Sequence, residues 1–225
     1  MIKIIYHGSE KIIEKPIFGC GKKYNDYGLG FYCTENKDLA KEWSVDWNRN
    51  GYANAYEIEI EGLNILHLND GNYCILHWLT LLLKNRQFDV NSSLALEAKQ
   101  YLINNFDVPL DNVDIIIGYR ADDSYFSFAS DFINGTISYR QLNNAIHLGK
   151  LGEQFVLISK TAFNKIKFLN AELASSDEWF AKKAIRDKNT RFDYFKNEKN
   201  KRQRGDLYIT TILDEEIKKD DFRLR

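Results

Sequence analysis

The sequence predicts an α+β fold of short, mostly antiparallel strands, with helices inserted between them and a helical C-terminal part. Three observations point there. Short runs of β-branched and aromatic residues stand near both ends of the stretch from Met1 to Asn170. Segments with helical apolar spacing fill its middle. Strands and helices do not alternate as in parallel βαβ units, and no Gly-x-Gly-x-x-Gly opens a helix after a strand.

The chain opens with a predicted strand, Lys3–His7, ended by Gly8 and Ser9. A glycine-rich irregular stretch runs from Gly19 to Gly30, and β-prone Phe31–Thr34 follows. Leu39, Trp43 and Trp47, four residues apart, predict a helix over Asp38–Trp47 with one apolar face. Strict alternation from Asn54 to Ile60 predicts a half-buried strand, with Ile65–Leu68 as a short partner. Helices are expected over Asn72–Asn85, Ser92–Asn105, Ser124–Asn134 and Ser138–His147. Val113–Tyr119 is apolar but short, and reads as a buried strand. Glu153–Ser159 and Lys165–Leu169 are further strands. In the amphipathic stretch Leu207–Ile217, Leu207, Ile209, Ile212, Leu213 and Ile217 face a core.

At 225 residues and 44% apolar content, the chain can bury a sizeable core. Its 31 basic and 32 acidic residues nearly cancel, which excludes a globally electrostatic nucleic-acid binder. Its most apolar run, Cys74–Leu83, is about half of what a bilayer crossing takes, so no membrane partner is expected. Cys20, Cys33 and Cys74 are odd in number and form no Cys-x-x-Cys. That disfavours a disulfide framework or thiolate zinc site and predicts a reducing, cytoplasmic location. Met1–Ser9 carries no secretory pattern; delivery into a target cell without a signal remains compatible. His67, His77 and His147 lack neighbours at metal-ligand spacing, so no metal is expected.

Reactive side chains concentrate in three segments on or beside predicted strands: Tyr6-His7-Gly8-Ser9, Tyr27–Thr34 and Gly152–Leu157. A strand ending in His-Gly-Ser, then Gly-x-Gly-Phe-Tyr, then a glutamate opening a late strand, resembles the His-Tyr-Glu class of NAD-dependent ADP-ribosyltransferases. This is the poly(ADP-ribose) polymerase and diphtheria-toxin type. More closely, the chain resembles the bacterial DUF3990 family of ADP-ribosyltransferase-like proteins, nearly end to end. The resemblance includes Asn25–Thr34, Leu39-Ala40-Lys41-Glu42-Trp43, Tyr119–Asp123 and Leu151-Gly152-Glu153-Gln154.

The resemblance implies an NAD-binding domain of that type over 1–172, with a helical insertion at about 72–148. A basic helical extension, 173–225, would pack on it. NAD would be the co-substrate. His7 would bond a ribose hydroxyl, the Gly8 backbone would read the carboxamide, and Ser9 would add a hydroxyl contact. Tyr32 would stack on the nicotinamide ring, with Trp43 as the second face of the sandwich. Gly30 belongs to the same site, and Arg120 would meet the pyrophosphate. Glu153 would be the catalytic carboxylate, aided by His7 and Tyr32. It would bind the ribose 2′-hydroxyl as oxocarbenium charge develops, an effect worth about 2.7–4 kcal/mol of barrier by analogy with other electrostatic stabilisers. His7 and Leu151 stand where the Arg-Ser-Glu type of transferase needs other residues.

The implied activity is mono-ADP-ribosyl transfer to a protein or nucleic acid, as a bacterial toxin or defence effector countered by an antitoxin or inhibitor protein. Two alternatives are NAD glycohydrolysis and a catalytically silent NAD- or nucleic-acid-binding module. Acceptor recognition would fall on Gln141–Gly152, with Asn143, Asn144, His147 and Lys150, or on Arg120, Asp122, Asp123 and Tyr125. Structural readings stand beside these: Gly28 and Gly30 suit turns, Trp43 suits a core stripe, and Asp122-Asp123 suit a helix cap.

From Lys182 to Arg204, ten basic residues face three acidic ones and interleave with Phe192, Tyr194 and Phe195. That suits a nucleic-acid track with stacking platforms. The reading preferred from composition alone is a solvated helix whose aromatics pack on the main domain.

Overall fold

The computed structural model describes every residue except Asp89, Asp122, Leu151 and Arg225, and describes only the backbone at Asp123, Ser124 and Lys150. The cap expected of Asp122 and Asp123 therefore lies outside the described residues, as do Leu151 and the Lys150 side chain. The strands are β1 (Ile2–Ser9), β2 (Phe31–Cys33), β3 (Gly51–Glu59), β4 (Ile65–His67), β5 (Ile115–Tyr119), β6 (Glu153–Leu157) and β7 (Ile166–Ala174). The helices are α1 (Lys37–Ser44), α2 (Ile75–Asn85), α3 (Ser93–Phe106), α4 (Asp123–Ile133), α5 (Tyr139–Ala145), α6 (Lys160–Asn164), α7 (Ser176–Asp193) and α8 (Ile209–Asp214).

This is an α+β architecture. One sheet has the order β1-β3-β7 and is antiparallel throughout. The other, β2-β6-β5-β4, is mixed: β2/β6 and β5/β6 are antiparallel, and β4/β5 is parallel. A bridge between Tyr6 and Thr34 stitches the two sheets together. Between them lies a cluster containing Ile5, Phe31, Tyr56, Ile115, Phe155 and Leu157. The opposite face of the mixed sheet, through Ile116 and Val156, packs on the larger core built by α2–α5 and α8.

Local chemistry starts these helices where polar residues can cap them. The Asn36 side chain accepts from the amides of Asp38 and Leu39 at α1. Ser92 and Ser159 cap α3 and α6, and Ser138 with Gln141 forms a capping box at α5. Leu207–Ile217 behaves as its pattern predicts: Ile209, Ile212 and Ile217 join the larger core, with Leu207 and Leu213 packed against it.

Three expectations need correction. The first helix ends at Ser44, because the chain then turns back through paired backbone bonds between Asp46 and Arg49. Trp47 is thereby lost from the apolar stripe and is 71% exposed. The strand over Asn54–Ile60 alternates as expected only from Tyr56, with Tyr56 and Ile58 buried and Glu59 exposed; Asn54 and Ala55 are both buried, since β3 is a central strand and α1 lies against it. Lys165–Leu169 is only the first half of β7, which runs to Ala174 along β3. Among the described residues, no helix is long and apolar enough to cross a membrane.

Candidate functional site

A cavity of 690 Å³ opens where β1 ends and β2 begins. His7 and Gly8 reach it from β1, Gly30 from just before β2, Tyr32 from β2, and Trp43 from α1. Arg120 comes from the end of β5 and Gln154 from β6. The structure thus gathers six of the eight residues expected at the site. Asn54, fully buried on β3, does not line the cavity but braces His7 and Ile13, which do. Its amide donates to Ser9 Oγ (2.9 Å) and the carbonyls of His7 and Lys11, and its Oδ1 accepts from the Ile13 amide. Nothing in the local pattern singles out this residue.

His7 is held on two sides. Its ring stacks on Phe31 at 4.3 Å, and Nδ1 lies 2.7 Å from the Tyr32 carbonyl oxygen. A carbonyl only accepts, so Nδ1 carries the proton, and in the neutral ring Nε2 is left as an acceptor. Burial keeps the ring neutral by lowering its pKa, with the Tyr32 bond opposing. Tyr32 is equally fixed: its hydroxyl donates to the Gly28 carbonyl (2.6 Å) and accepts from the Tyr27 amide (3.0 Å). Burial raises its pKa far above the ordinary tyrosine value, so it stays a neutral phenol.

Opposite stands a dyad absent from the sequence-based site. Gln154 Nε2 donates to Asp26 Oδ2 at 3.1 Å, which fixes the amide's orientation; its Oε1 is buried with no hydrogen-bond partner. Asp26 also accepts from the Ala121 amide (2.9 Å) and pairs with Arg86 at 3.4 Å. Its pKa is raised, chiefly by burial, while the Ala121 bond, Arg86, Arg120 and Gln154 oppose the shift. The Arg120 guanidinium lies 4.4 Å from the Trp43 ring centroid, so the two act as one stacked unit. Lys15, Lys22, Arg86 and Arg120 line this cavity against a single carboxylate, Asp26.

Glu153 and Ser9 do not line it. Adjacent residues of a strand face opposite sides, and Gln154 takes the cavity side. Glu153 Oε1 instead lies 3.0 Å from His67 Nε2 and 2.6 Å from Asn69 Nδ2, beside a cavity of 290 Å³ that shares Gln154 with the larger one. The Ser9 hydroxyl is used locally, donating to the Lys11 carbonyl. Gly30 has a packing reason to be glycine: a Cβ there would stand 2.7 Å from Val156 Cγ1 and 2.9 Å from the Leu157 carbonyl oxygen.

The acceptor-side residues are dispersed. Tyr125 is 1% exposed and belongs to the core, which removes it from any surface. His147 bonds Tyr119, Asn144 bonds Glu198, and Asn143 lines a separate cavity with Cys74 and His77.

Burial also lowers the pKa of His77. For both histidines the unfolded chain takes its proton near pH 6.5 and the folded chain only at lower pH. Their contribution is full above about pH 6.5 and is lost as pH falls through the folded-state pKa. Urea unfolding should therefore show the His7→Gln chain losing less stability than the parent between pH 7 and 5.5. The parent's excess loss is at most about 1.4 kcal/mol per pH unit for one proton. Equal losses in the two chains would mean that His7 is not held neutral.

One protein-family model matches residues 3–168, and its description is "Protein of unknown function (DUF3990)". The match contains both sheets up to Phe168 and every residue of the cavity, and ends before α7. No curated protein and no solved structure matches the chain.

Proposed function

We propose, for a chain that belongs to the DUF3990 family, that the His7–Tyr32 cavity binds NAD and that ADP-ribose is transferred from it to a macromolecular acceptor. The observation that carries this reading is the chemistry of the cavity wall. Four cations suit a pyrophosphate. The His7 ring and the Gln154 side chain present acceptors suited to sugar hydroxyls or a carboxamide. Tyr32 and Trp43 supply aromatic surface for a flat ring. The resemblance of His7, Tyr32 and Glu153 to the His-Tyr-Glu pattern adds the reaction type.

In this reading the nicotinamide–ribose bond breaks, nicotinamide leaves with the bonding electrons, and positive charge develops on the ribose. Neutral His7 orients a hydroxyl through Nε2. A carboxylate then stabilises the oxocarbenium centre. An acceptor oxygen or nitrogen bonds to the same carbon through its lone pair, and its proton passes to that carboxylate and on to water. Asp26 is engaged by Arg86, Gln154 and the Ala121 amide, which suits it to hold the Gln154 amide. The catalytic part falls to Glu153, the first residue of β6, beside Gln154, which the two cavities share.

The test uses NAD labelled in its adenylate half, with cell lysate as acceptor, following free nicotinamide and the label together. Glu153→Ala should lower turnover about 10²–10³-fold while NAD still binds, and Tyr32→Ala should weaken NAD binding. Label left as free ADP-ribose would make the protein a glycohydrolase. Full activity in Glu153→Ala, with loss in folded Asp26→Asn, would move catalysis to Asp26. Absence of NAD binding would end the proposal.

A further inference from the structure

We infer that the exposed face of α7 and the turn that follows it binds single-stranded nucleic acid. Along this segment Lys188, Arg191, Phe192 and Phe195 recur at helical spacing, which puts them on one side. The helix continues past Asp193 as a wider, π-type turn over Tyr194–Lys199 and so prolongs the stripe.

Two observations separate a binding face from a merely solvated helix. The first concerns the three aromatic residues. Tyr194 is 1% exposed and packs 3.9 Å from the Phe128 ring, so it anchors the segment. Phe192 and Phe195 turn outward and are 61% and 53% exposed. Each has an ammonium group over its ring: Lys196 at 5.6 Å from Phe192, and Lys199 at 5.3 Å from Phe195. Phe195 touches the Tyr194 ring at 5.6 Å but leaves most of its surface in water, and the exposed faces of the two phenylalanines stand beside cations.

The second observation is the state of the charges. Lys182, Arg186 and Lys199 are answered by Glu178, Glu42 and Asp131. Among the described residues, no ion pair holds Lys188, Arg191, Lys196, Lys201, Arg202 or Arg204, and all six are exposed. A chain of net charge −1 thus carries a local cationic strip. Phosphates spaced along a strand would meet the cations, and unstacked bases would meet the two rings. A duplex hides its bases and could use only the charges. A lipid surface calls for a continuous apolar face, whereas these two rings are flanked by lysines and arginine.

This surface is separate from the cavity, and its test involves no NAD. The full chain is titrated against fluorescent 20-mers of dT and of rU, and against a duplex of equal length, by anisotropy at several salt concentrations. Both homopolymers should bind at 50 mM salt, more tightly than the duplex. Binding should weaken steeply with salt, by about 0.7 in log–log slope per phosphate contact. Lys188→Gln with Arg191→Gln should flatten that slope by about 1.4. Phe192→Ala with Phe195→Ala should weaken binding at least tenfold and leave the slope unchanged. The exposed rings can be removed without touching the core, and circular dichroism checks that each variant folds. Four results would each overturn the inference: no binding at 50 mM salt, binding indifferent to salt, equal affinity for the duplex, or a double phenylalanine variant that binds like the parent. Association with phosphatidylserine vesicles in place of the oligonucleotides would overturn it in favour of a lipid surface.

Discussion

Asp26→Ala is expected to destabilise the protein by about 3–5 kcal/mol, the cost of breaking a buried charged cluster by removing one partner. Asp26 is 4% exposed, and three elements depend on it: Arg86 at the end of α2, the Ala121 amide after β5, and Gln154 on β6. Alanine would leave the Arg86 charge, the Ala121 N–H and the Gln154 amide without their acceptor. Asp26→Asn keeps the volume and one acceptor oxygen and should cost about half as much. Urea unfolding gives both values, and hydrogen exchange at the Ala121 amide reports the local effect. A loss below about 1 kcal/mol in Asp26→Ala would mean that water replaces the carboxylate and that the cluster does not organise the cavity.

Gly8→Ala should cost about 3 kcal/mol, the upper end of what overpacking does. A Cβ on Gly8 would overlap the Ala40 carbonyl oxygen and stand 3.0 Å from both the Ser44 amide nitrogen and Trp43 Cβ. These are backbone atoms and a Cβ of α1, with no flexible side-chain end to swing aside. The helix must therefore lift from β1, taking Trp43 and its stacked Arg120 with it. Ligand affinity should fall together with stability. A Gly8→Ala chain as stable as the parent would show that α1 shifts freely. The glycine would then need another explanation, such as a ligand approaching the main chain.

Both variants bear on why some of this molecule was readable from local pattern and some was not. Caps at Asn36, Ser92, Ser138 and Ser159 use contacts within three residues, and the helices begin there. Gly8 was conspicuous as a motif residue, yet its packing reason lies on α1, which reaches it only through folding. Trp47 kept the four-residue spacing and still left the stripe, because the Asp46–Arg49 turn overrode periodicity. Asp26 and Gln154 stand inside the segments that carry the family resemblance, but nothing local gave them a role: their hydrogen bond joins positions 128 residues apart.

Local signals suffice for the α+β class and for most of its strands and helices, though not for α6, while the grouping of His7, Tyr32, Trp43 and Arg120 is implied by the family resemblance. The local part is readable because cap chemistry and side-chain period are properties of neighbouring residues. Alternation along β6 also requires Glu153 and Gln154 to face opposite ways, but it does not say which of them meets the cavity. Tertiary packing decides that. Asp26 draws the Gln154 amide to one face, while His67 and Asn69, 86 and 84 residues from Glu153, hold its carboxylate on the other. A strand's phase is local, but the partner on each face is brought by distant parts of the chain, and only the folded packing can supply it.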